Sequence, residues 1–469
     1  MTATDSKPGP TNATWREIMA EGRTPRLVLI WLAVWLFAAD SLVTATIMPS
    51  VGHALGGVEF FSWATAGYLL ASVFAGSSAG LLAKRFGLRQ ATAWSAALYA
   101  VGCAIGALAP NMTVFLIGRL LQGLGGGWVS GFASVAIGLL FANRMLPRVY
   151  AATAAIWGIA TLLGPLVGGV FADAGAWRFV FWFFAVQAVG VALASLWLLP
   201  RGEGGDAKAG LAWLQLALTA AGVSAMGAAD IAGSVVGSVA LSVVGLALLA
   251  LMVAVDAKAG VRLLPKGSND PRTVVGSGYA AMFLLTASSM AFSVYGAAIL
   301  QTLAGYSALF AGYVIAVEAL AWTLTALMVS HLSASWPGRL IRVGGPILVL
   351  GLVLSAVGFP IPSLAWVLAA AVATGAAFGL SWSFMSQRVL GCLPDDERAI
   401  GAGGITTVRL TGSAAGAAGA AAVANLCGFA HGFSVEAARS AGVWIFVAFV
   451  PVAALGWLAA WRLGRDEAA

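Results

Sequence analysis

The feature that most restricts this chain is a recurring run of about 20 apolar residues, the length a helix needs to cross the hydrocarbon core of a bilayer. Such runs lie near residues 27–50, 61–83, 91–109, 113–141, 150–172 and 179–199, and again near 275–300, 307–330, 341–359, 364–387, 400–427 and 442–461. Between the two sets, Leu211–Val255 covers 45 residues with Asp230 as its one charge. That stretch is too long for one span and too apolar for a soluble linker. Gly227-Ala-Ala-Asp230 and Gly233-Ser234 supply a natural turn, so the reading is a tight hairpin of two spans. The expected architecture is an all-α integral membrane protein of 6+2+6 transmembrane helices: two six-helix bundles and a central two-helix hairpin. Composition agrees. The chain is 60% hydrophobic and 9% charged, with a mean hydropathy of +0.93 over 469 residues. Soluble domains carry about 25% charged residues, and a single core stops growing near ~250–300 residues. Disorder is excluded by the same figures. A disulfide scaffold is excluded because the three cysteines, Cys103, Cys392 and Cys427, are scattered within or beside apolar runs.

Charge placement tests the helix count independently. With an even number of spans, the basic residues Lys7, Arg16, Arg23, Arg26, Lys84, Arg85, Arg89, Arg144 and Arg148 fall on one side. Arg201, Lys208, Lys258, Arg262, Lys266, Arg272, Arg339, Arg342, Arg388, Arg398, Arg462 and Arg465 join them there. Arg178 and Arg439 fall on the other side, and Arg119 and Arg409 lie within spans. The positive-inside rule then places both termini in the cytoplasm of a cell (inner or plasma) membrane. A single span over 211–255 would send the later basic loops outward. The net charge of +7 therefore reads as membrane orientation, with no nucleic-acid partner. The segment before Arg26 has no apolar run, so the first span is expected to act as the insertion signal. The expected division is a cytoplasmic tail over 1–26, a six-helix bundle over 27–199, a linker over 200–274 that contains the hairpin, a second bundle over 275–461 and a tail over 462–469.

Four charged residues lie deep within spans: Asp40, Arg119, Glu318 and Arg409. Each costs about 2.5–3.5 kcal/mol at mid-bilayer on insertion scales. Two acids and two arginines must therefore pair, face water, or both. A carboxylate in a partly dry cavity can act as a proton carrier, because burial favours its neutral form and a nearby guanidinium its charged form. Arg cannot deprotonate and serves as fixed counter-charge. Asp40 is the first candidate for the coupling acid, against a purely structural Asp–Arg pair. Glu318 is a second candidate, for proton coupling or for recognition of a cation, and a packing role competes evenly. Gln122, Gln187 and Gln301 could add hydrogen bonds in a cavity, or glue helices together. Of eighteen tryptophans, most lie near span ends as interfacial anchors, Trp31, Trp63, Trp177, Trp213 and Trp444 among them. Trp35, Trp157, Trp322 and Trp382 lie deeper, where they could stack on an aromatic or cationic ligand.

Four segments resemble motifs of one family. Asp40-Ser-Leu-Val-Thr-Ala-Thr-Ile-Met-Pro49 is similar to the first-span signature of the drug:proton antiporters of the major facilitator superfamily. Gly80-Leu-Leu-Ala-Lys84-Arg85-Phe-Gly87-Leu-Arg89 resembles the loop 2–3 motif of the whole superfamily. Arg119-Leu-Leu-Gln122-Gly123-Leu-Gly125 resembles its fourth-span motif, and Gly164-Pro165-Leu-Val-Gly168-Gly169 the fifth-span antiporter motif. With the central hairpin, the resemblance is to the 14-span branch and covers essentially the whole chain. It implies two pseudo-symmetric bundles that alternate access and exchange protons for drugs, other amphiphiles or lipids. It further implies that Arg119 aids proton transfer, that Glu318 faces the cavity, and that Arg409 matches an arginine typical of span 13. Arg409 is expected to neutralise Asp40 in one conformation. Spans 5 and 13, rich in small residues, are expected at the interface between the halves, where smooth surfaces let the bundles rock. One departure stands out: the loop 2–3 motif has an acid where this chain has Lys84, which suggests a partner among Asp395, Asp396 and Glu397.

Other classes fit less well. No Gly-Lys dipeptide exists, so no P-loop can form. Gly76-Ser-Ser78-Ala-Gly80 fits a nucleophile elbow by spelling but lies inside a span, and no His or Cys pair has metal-ligand spacing. The expectation is no enzyme, no metal and no cofactor beyond protons. A monomer in membrane lipid is expected, with a small amphipathic substrate as its partner. Export of lipids or natural products and proton symport of a small solute are the alternatives within transport. A transport-inactive receptor or scaffold is the alternative outside it.

Overall fold

The computed structural model describes residues 13–20, 22–56, 61–200, 210–229, 234–332, 336–361, 363–428 and 434–465. Among them there is no strand. After a short helix, Trp15–Met19, fourteen long helices follow one another. The first six are α1 (Arg23–Leu55), α2 (Phe61–Phe86), α3 (Leu88–Leu108), α4 (Met112–Leu140), α5 (Leu146–Asp173) and α6 (Trp177–Leu198). Next come α7 (Trp213–Ala229) and α8 (Val235–Lys258), then α9 (Val274–Ala304), α10 (Ala308–Val329), α11 (Pro337–Gly358), α12 (Leu364–Gly391), α13 (Asp395–Leu426) and α14 (Val435–Leu463). Hydrocarbon offers peptide groups no water, so an apolar run satisfies its own backbone as helix. Eleven of these helices are long and apolar enough to cross a membrane. Of the others, α7 is apolar but has 17 residues, and α2 and α13 are long but rich in Gly, Ala, Ser and Thr.

Several helices begin before their apolar runs. Arg148, Arg339, Arg342 and Arg398, placed in loops by the sequence reading, lie in the first two turns of α5, α11 and α13. Pro147 and Pro337 open α5 and α11, where a proline's fixed φ favours a helix start. Side chains of Asn111, Ser234, Thr273, Ser307 and Ser434 accept from the first turns of α4, α8, α9, α10 and α14, as N-caps do. Of the turn expected over Gly227–Asp230 and Gly233-Ser234, residues 227–229 complete α7 and Ser234 caps α8, while residues 230–233 lie outside the described residues, as do Arg201 and Lys208.

Helices α1–α6 pack chiefly among themselves and α9–α14 likewise, while α7 and α8 pair and lie against α2 and α13. Val223, Met226 and Leu249 of the hairpin form an apolar cluster with Phe37, Tyr68, Val73, Leu410 and Ala418. Asn425 donates to Ser238 Oγ at 3.2 Å. The hairpin thus covers the seam along which α2 of the first set meets α13 of the second. The other seam is formed by α5 against α10 and α12.

The two sets of helices touch closely at one end. A Cβ on Gly80 would lie 2.9 Å from the Ala399 oxygen, and one on Gly138 3.0 Å from the Ala402 Cβ. Thr406 Oγ1 donates to Ser134 Oγ at 2.9 Å, and Gln387 Nε2 to the Asn143 oxygen at 3.0 Å. At this end the segment after α8 is also pinned. Asp256 accepts from the Leu263 and Leu264 amides at 2.7 and 3.0 Å, and Gln215 donates to the Val261 oxygen at 2.9 Å. Glu397 accepts from the Lys266 amide at 3.0 Å and pairs with Arg262 at 3.3 Å. Hairpin, linker and α13 are therefore clasped together. At the opposite end, Leu166 and Val170 of α5 and Phe310 and Tyr313 of α10 are exposed.

Candidate functional site

The buried centre of the first bundle holds an ion pair. Arg119 Nη1 of α4 lies 3.0 and 2.9 Å from the two carboxylate oxygens of Asp40 on α1, and both side chains are essentially closed to solvent. The same nitrogen donates to Gln122 Oε1 at 3.0 Å, and Nε donates to the Ala64 oxygen at 3.3 Å. The guanidinium lies over the Tyr68 ring at 4.3 Å. Thr44 Oγ1 donates to Asp40 at 3.1 Å, and Gln122 Nε2 donates to Cys103 Sγ at 3.0 Å. Two charges removed from water are tolerable only with such complete pairing.

The glycines after Arg119 explain how the pair is sealed. A Cβ on Gly123 would strike the Tyr68 backbone oxygen, one on Gly125 would lie 2.6 Å from the Tyr99 nitrogen, and one on Gly127 would strike the Ser72 oxygen. Without side chains there, α2 and α3 close against α4 and exclude water from the pair. Gly164 and Gly168 do the same between α5 and α1, where added Cβ atoms would lie 2.8 Å from the Cβ atoms of Leu42 and Thr46. These glycines face α1 of their own set, and nothing lies within 4 Å of a Cβ on Gly169. The contact of α5 with α10 uses Gly158 and Ala154 instead, with Thr323 Oγ1 donating to the Ala154 oxygen at 3.1 Å.

The remaining charges stand apart. Glu318 of α10 accepts from Ser293 Oγ of α9 at 3.0 Å and is half-buried, with no ion pair among the described residues. Arg409 does not pair with Asp40 here. Its guanidinium lies 5.3 Å from the Trp157 ring centroid on α5. Trp157 in turn meets Phe37 edge-on at 6.0 Å, and Phe37 stacks on Tyr68 at 5.8 Å. A chain of rings thus links Arg409 in the second set of helices to the Asp40–Arg119 pair in the first.

The other expected residues have plain positions. Gln122 belongs to the arginine's cage. Trp35 Nε1 donates to Gln187 Oε1 at 3.1 Å, tying α1 to α6. Gln301 is exposed and donates to the Ala297 oxygen. Trp322 stacks on Phe378 at 4.8 Å with Trp382 6.0 Å away, forming an aromatic wall one turn beyond Glu318. Trp177, expected as an interfacial anchor, is buried against Phe115 and Phe181 with Arg178 over its ring. Lys84 and Arg85 end α2, Gly87 takes φ +77 before α3, and Arg89 lies in the first turn of α3. Lys84 is exposed beside a cleft of about 280 Å³ that Asp396 and Glu397 also line, and forms no ion pair there among the described residues; Glu397 is held by Arg262. Asp395 pairs instead with Arg398 at 3.7 Å. Sequence reasoning missed Tyr68, Cys103, Ser293 and Phe37, which carry no charge to betray them.

A sequence model of the Major Facilitator Superfamily matches residues 30–417. A protein of Mycobacterium tuberculosis named "Probable multidrug-efflux transporter" is 29% identical over 98% of this chain and 98% of its own. The multidrug transporter protein MdtP of Bacillus subtilis is 33% identical over 34% of this chain and 30% of its own. Among solved structures, the human organic anion transporter MFSD10 superimposes with a TM-score of 0.66 at 15% identity, covering 93% of this chain and 99% of its own. The matched span, the full-length relative and the paired helical bundles agree that this chain belongs to the Major Facilitator Superfamily and is a multi-pass membrane transporter, not an enzyme.

Proposed function

We propose that this protein is a proton-coupled antiporter that exports drug-like amphipathic molecules by alternating access, working as a monomer without cofactors. All fourteen long helices would span the cell membrane, with both termini and the basic loops in the cytoplasm. The observation that carries the reading is the sealed Asp40–Arg119 pair. A structural pair could be replaced by apolar residues at no loss of stability. A titratable acid facing a permanent cation is instead a two-state device. Protonation of Asp40 releases Arg119 electrostatically, and the cage of Gln122, Ala64 and Tyr68 gives the freed guanidinium partners. Glu318, held among the described residues by Ser293 alone, is suited to carry a second proton or meet a cationic group. The substrate relationship is supported by the multidrug-efflux name of the full-length relative.

The closed end, with Gly80 on Ala399 and Ser134 on Thr406, bears the basic loops. This conformation is therefore read as closed to the cytoplasm, with release toward the exposed ends of α5 and α10. Driving force is ample at about 2.3 kcal/mol per charge per 100 mV, with about 1.4 kcal/mol more per pH unit. The test is reconstitution in liposomes with an imposed pH gradient and a panel of fluorescent drug-like amphiphiles, anionic, neutral and cationic. Uphill accumulation that collapses with a protonophore supports antiport. Accumulation indifferent to the protonophore, or none across drug-like probes, overturns it.

A further inference from the structure

We propose that Arg409 and Trp157 form a subsite for the anionic group of an amphipathic substrate, a carboxylate, sulfonate or phosphate joined to an aromatic or aliphatic body. The proposal rests on the transporter reading above and names a substrate class for it. Arg409 is half-buried on α13, yet it makes no ion pair and no hydrogen bond among the described residues. Among the described residues, the acids that are not exposed are already engaged, Glu17 with Arg144 at the surface and the others within the fold. Asp40 is held by Arg119 and Thr44, Asp256 by two backbone amides, Glu397 by Arg262 and the Lys266 amide, and Glu318 by Ser293.

A guanidinium cannot shed its charge. The face of Trp157 offsets its desolvation only in part, since a cation over a ring gives about 0.5–2 kcal/mol. The donors of Arg409 are therefore left to water or to an incoming anion, which a planar guanidinium takes through two parallel hydrogen bonds. Beside those donors stand Trp157 and, edge-on to it, Phe37. A charge next to an aromatic wall suits an anion carrying a hydrophobic body and disfavours a cation of the same shape.

Position adds a mechanical consequence. Trp157 lies on α5 and meets α1, whereas Arg409 comes from α13. A ligand bridging them touches both sets of helices, so its binding energy differs between their two arrangements and biases the exchange.

The test uses three probes sharing one fluorophore: dansylglycine (anion), its N-methylamide (neutral) and dansylcadaverine (cation). Binding to protein in nanodiscs is read by energy transfer from tryptophan, with empty-nanodisc subtraction and no pH gradient. The wild type is expected to bind the anion at least tenfold more tightly than the neutral probe, the change that one charge-assisted pair supplies. Arg409→Gln should erase that preference while keeping the neutral affinity, and Arg409→Lys should keep part of it. Equal affinities for anion and neutral probe in the wild type overturn the proposal, as does a uniform loss of both probes in Arg409→Lys. If Arg409→Gln loses all binding through misfolding, Arg409→Lys decides: a retained anion preference supports the subsite and its absence overturns it. Failure here leaves proton-driven drug flux untouched, whereas failure of that flux leaves the probe preference readable.

Discussion

Replacing Asp40 by Asn leaves Arg119 charged and closed to solvent without a counter-ion. Removing one partner of a buried pair costs about 3–5 kcal/mol. Asn keeps an oxygen for Nη1, and Gln122 and Ala64 still accept, so the loss falls near the lower end, about 3 kcal/mol or a 150-fold shift in the folding equilibrium. Arg119→Gln is different in kind. A lone carboxyl can relieve itself by taking a proton, which a lone guanidinium cannot do by losing one. Its cost is about 1–2 kcal/mol, the price of an imperfectly satisfied polar group. The double variant places two neutral amides face to face and is expected to cost about 1–2 kcal/mol, giving a coupling energy of about 2–4 kcal/mol. Reversible unfolding in mixed micelles, followed by tryptophan fluorescence, measures the cycle. The exposed Arg144–Glu17 pair at 3.4 Å is the internal control and should couple by less than about 1 kcal/mol. Additive singles at Asp40 and Arg119, or an Arg119→Gln as damaging as Asp40→Asn, would show that the two charges do not stabilise each other in this way.

Three further outcomes are expected. Glu397→Gln should release the linker from α13, and trypsin cleavage at Arg262 and Lys266 should rise several-fold; unchanged cleavage would show that the clasp is held by Asp256 alone. Ser134→Cys/Thr406→Cys should form a disulfide under mild oxidant that stops flux and is reversed by reductant, because closure at that end is one state of a cycle; continued flux in the crosslinked protein would make the contact static. Gln187→Ala should cost only about 0.6–1 kcal/mol of stability and leave transport near wild type, since Gln187 ties α6 to Trp35 rather than meeting substrate; a selective loss of flux would reassign it.

Much of the helical layout was legible because an apolar run of spanning length has one way to satisfy its backbone in lipid. Helix ends were less so: α13 begins at Asp395, in a charged stretch where peptide hydrogen bonding continues although hydropathy has stopped. The importance of Asp40 and Arg119 could be read from the expense of charge in hydrocarbon. Their pairing could not. The sequence matches Asp40 to Arg409 in one conformation, whereas the folded chain gives it Arg119, on a helix whose glycines let it close against α2 and α3. Which face a membrane helix turns inward is nearly silent when all faces are apolar, so Tyr68, Phe37 and Ser293 had no signature. Likewise, Gly164 and Gly168 announced a close approach but not its partner, which is α1. The substitution at Lys84 shows the same limit. The sequence suggests an acid from the start of α13 as its partner, but Glu397 is taken by Arg262 of the linker and Asp395 by Arg398.

If the shielded acid on α1 converts a proton gradient into substrate movement, its neutral replacement must uncouple the two. The direct measurement compares the wild type with Asp40→Asn in liposomes, scoring passive exchange of labelled substrate and gradient-driven accumulation in the same preparation. Exchange is expected to persist while accumulation falls to the level of protein-free vesicles. Accumulation at the wild-type level in Asp40→Asn would contradict it.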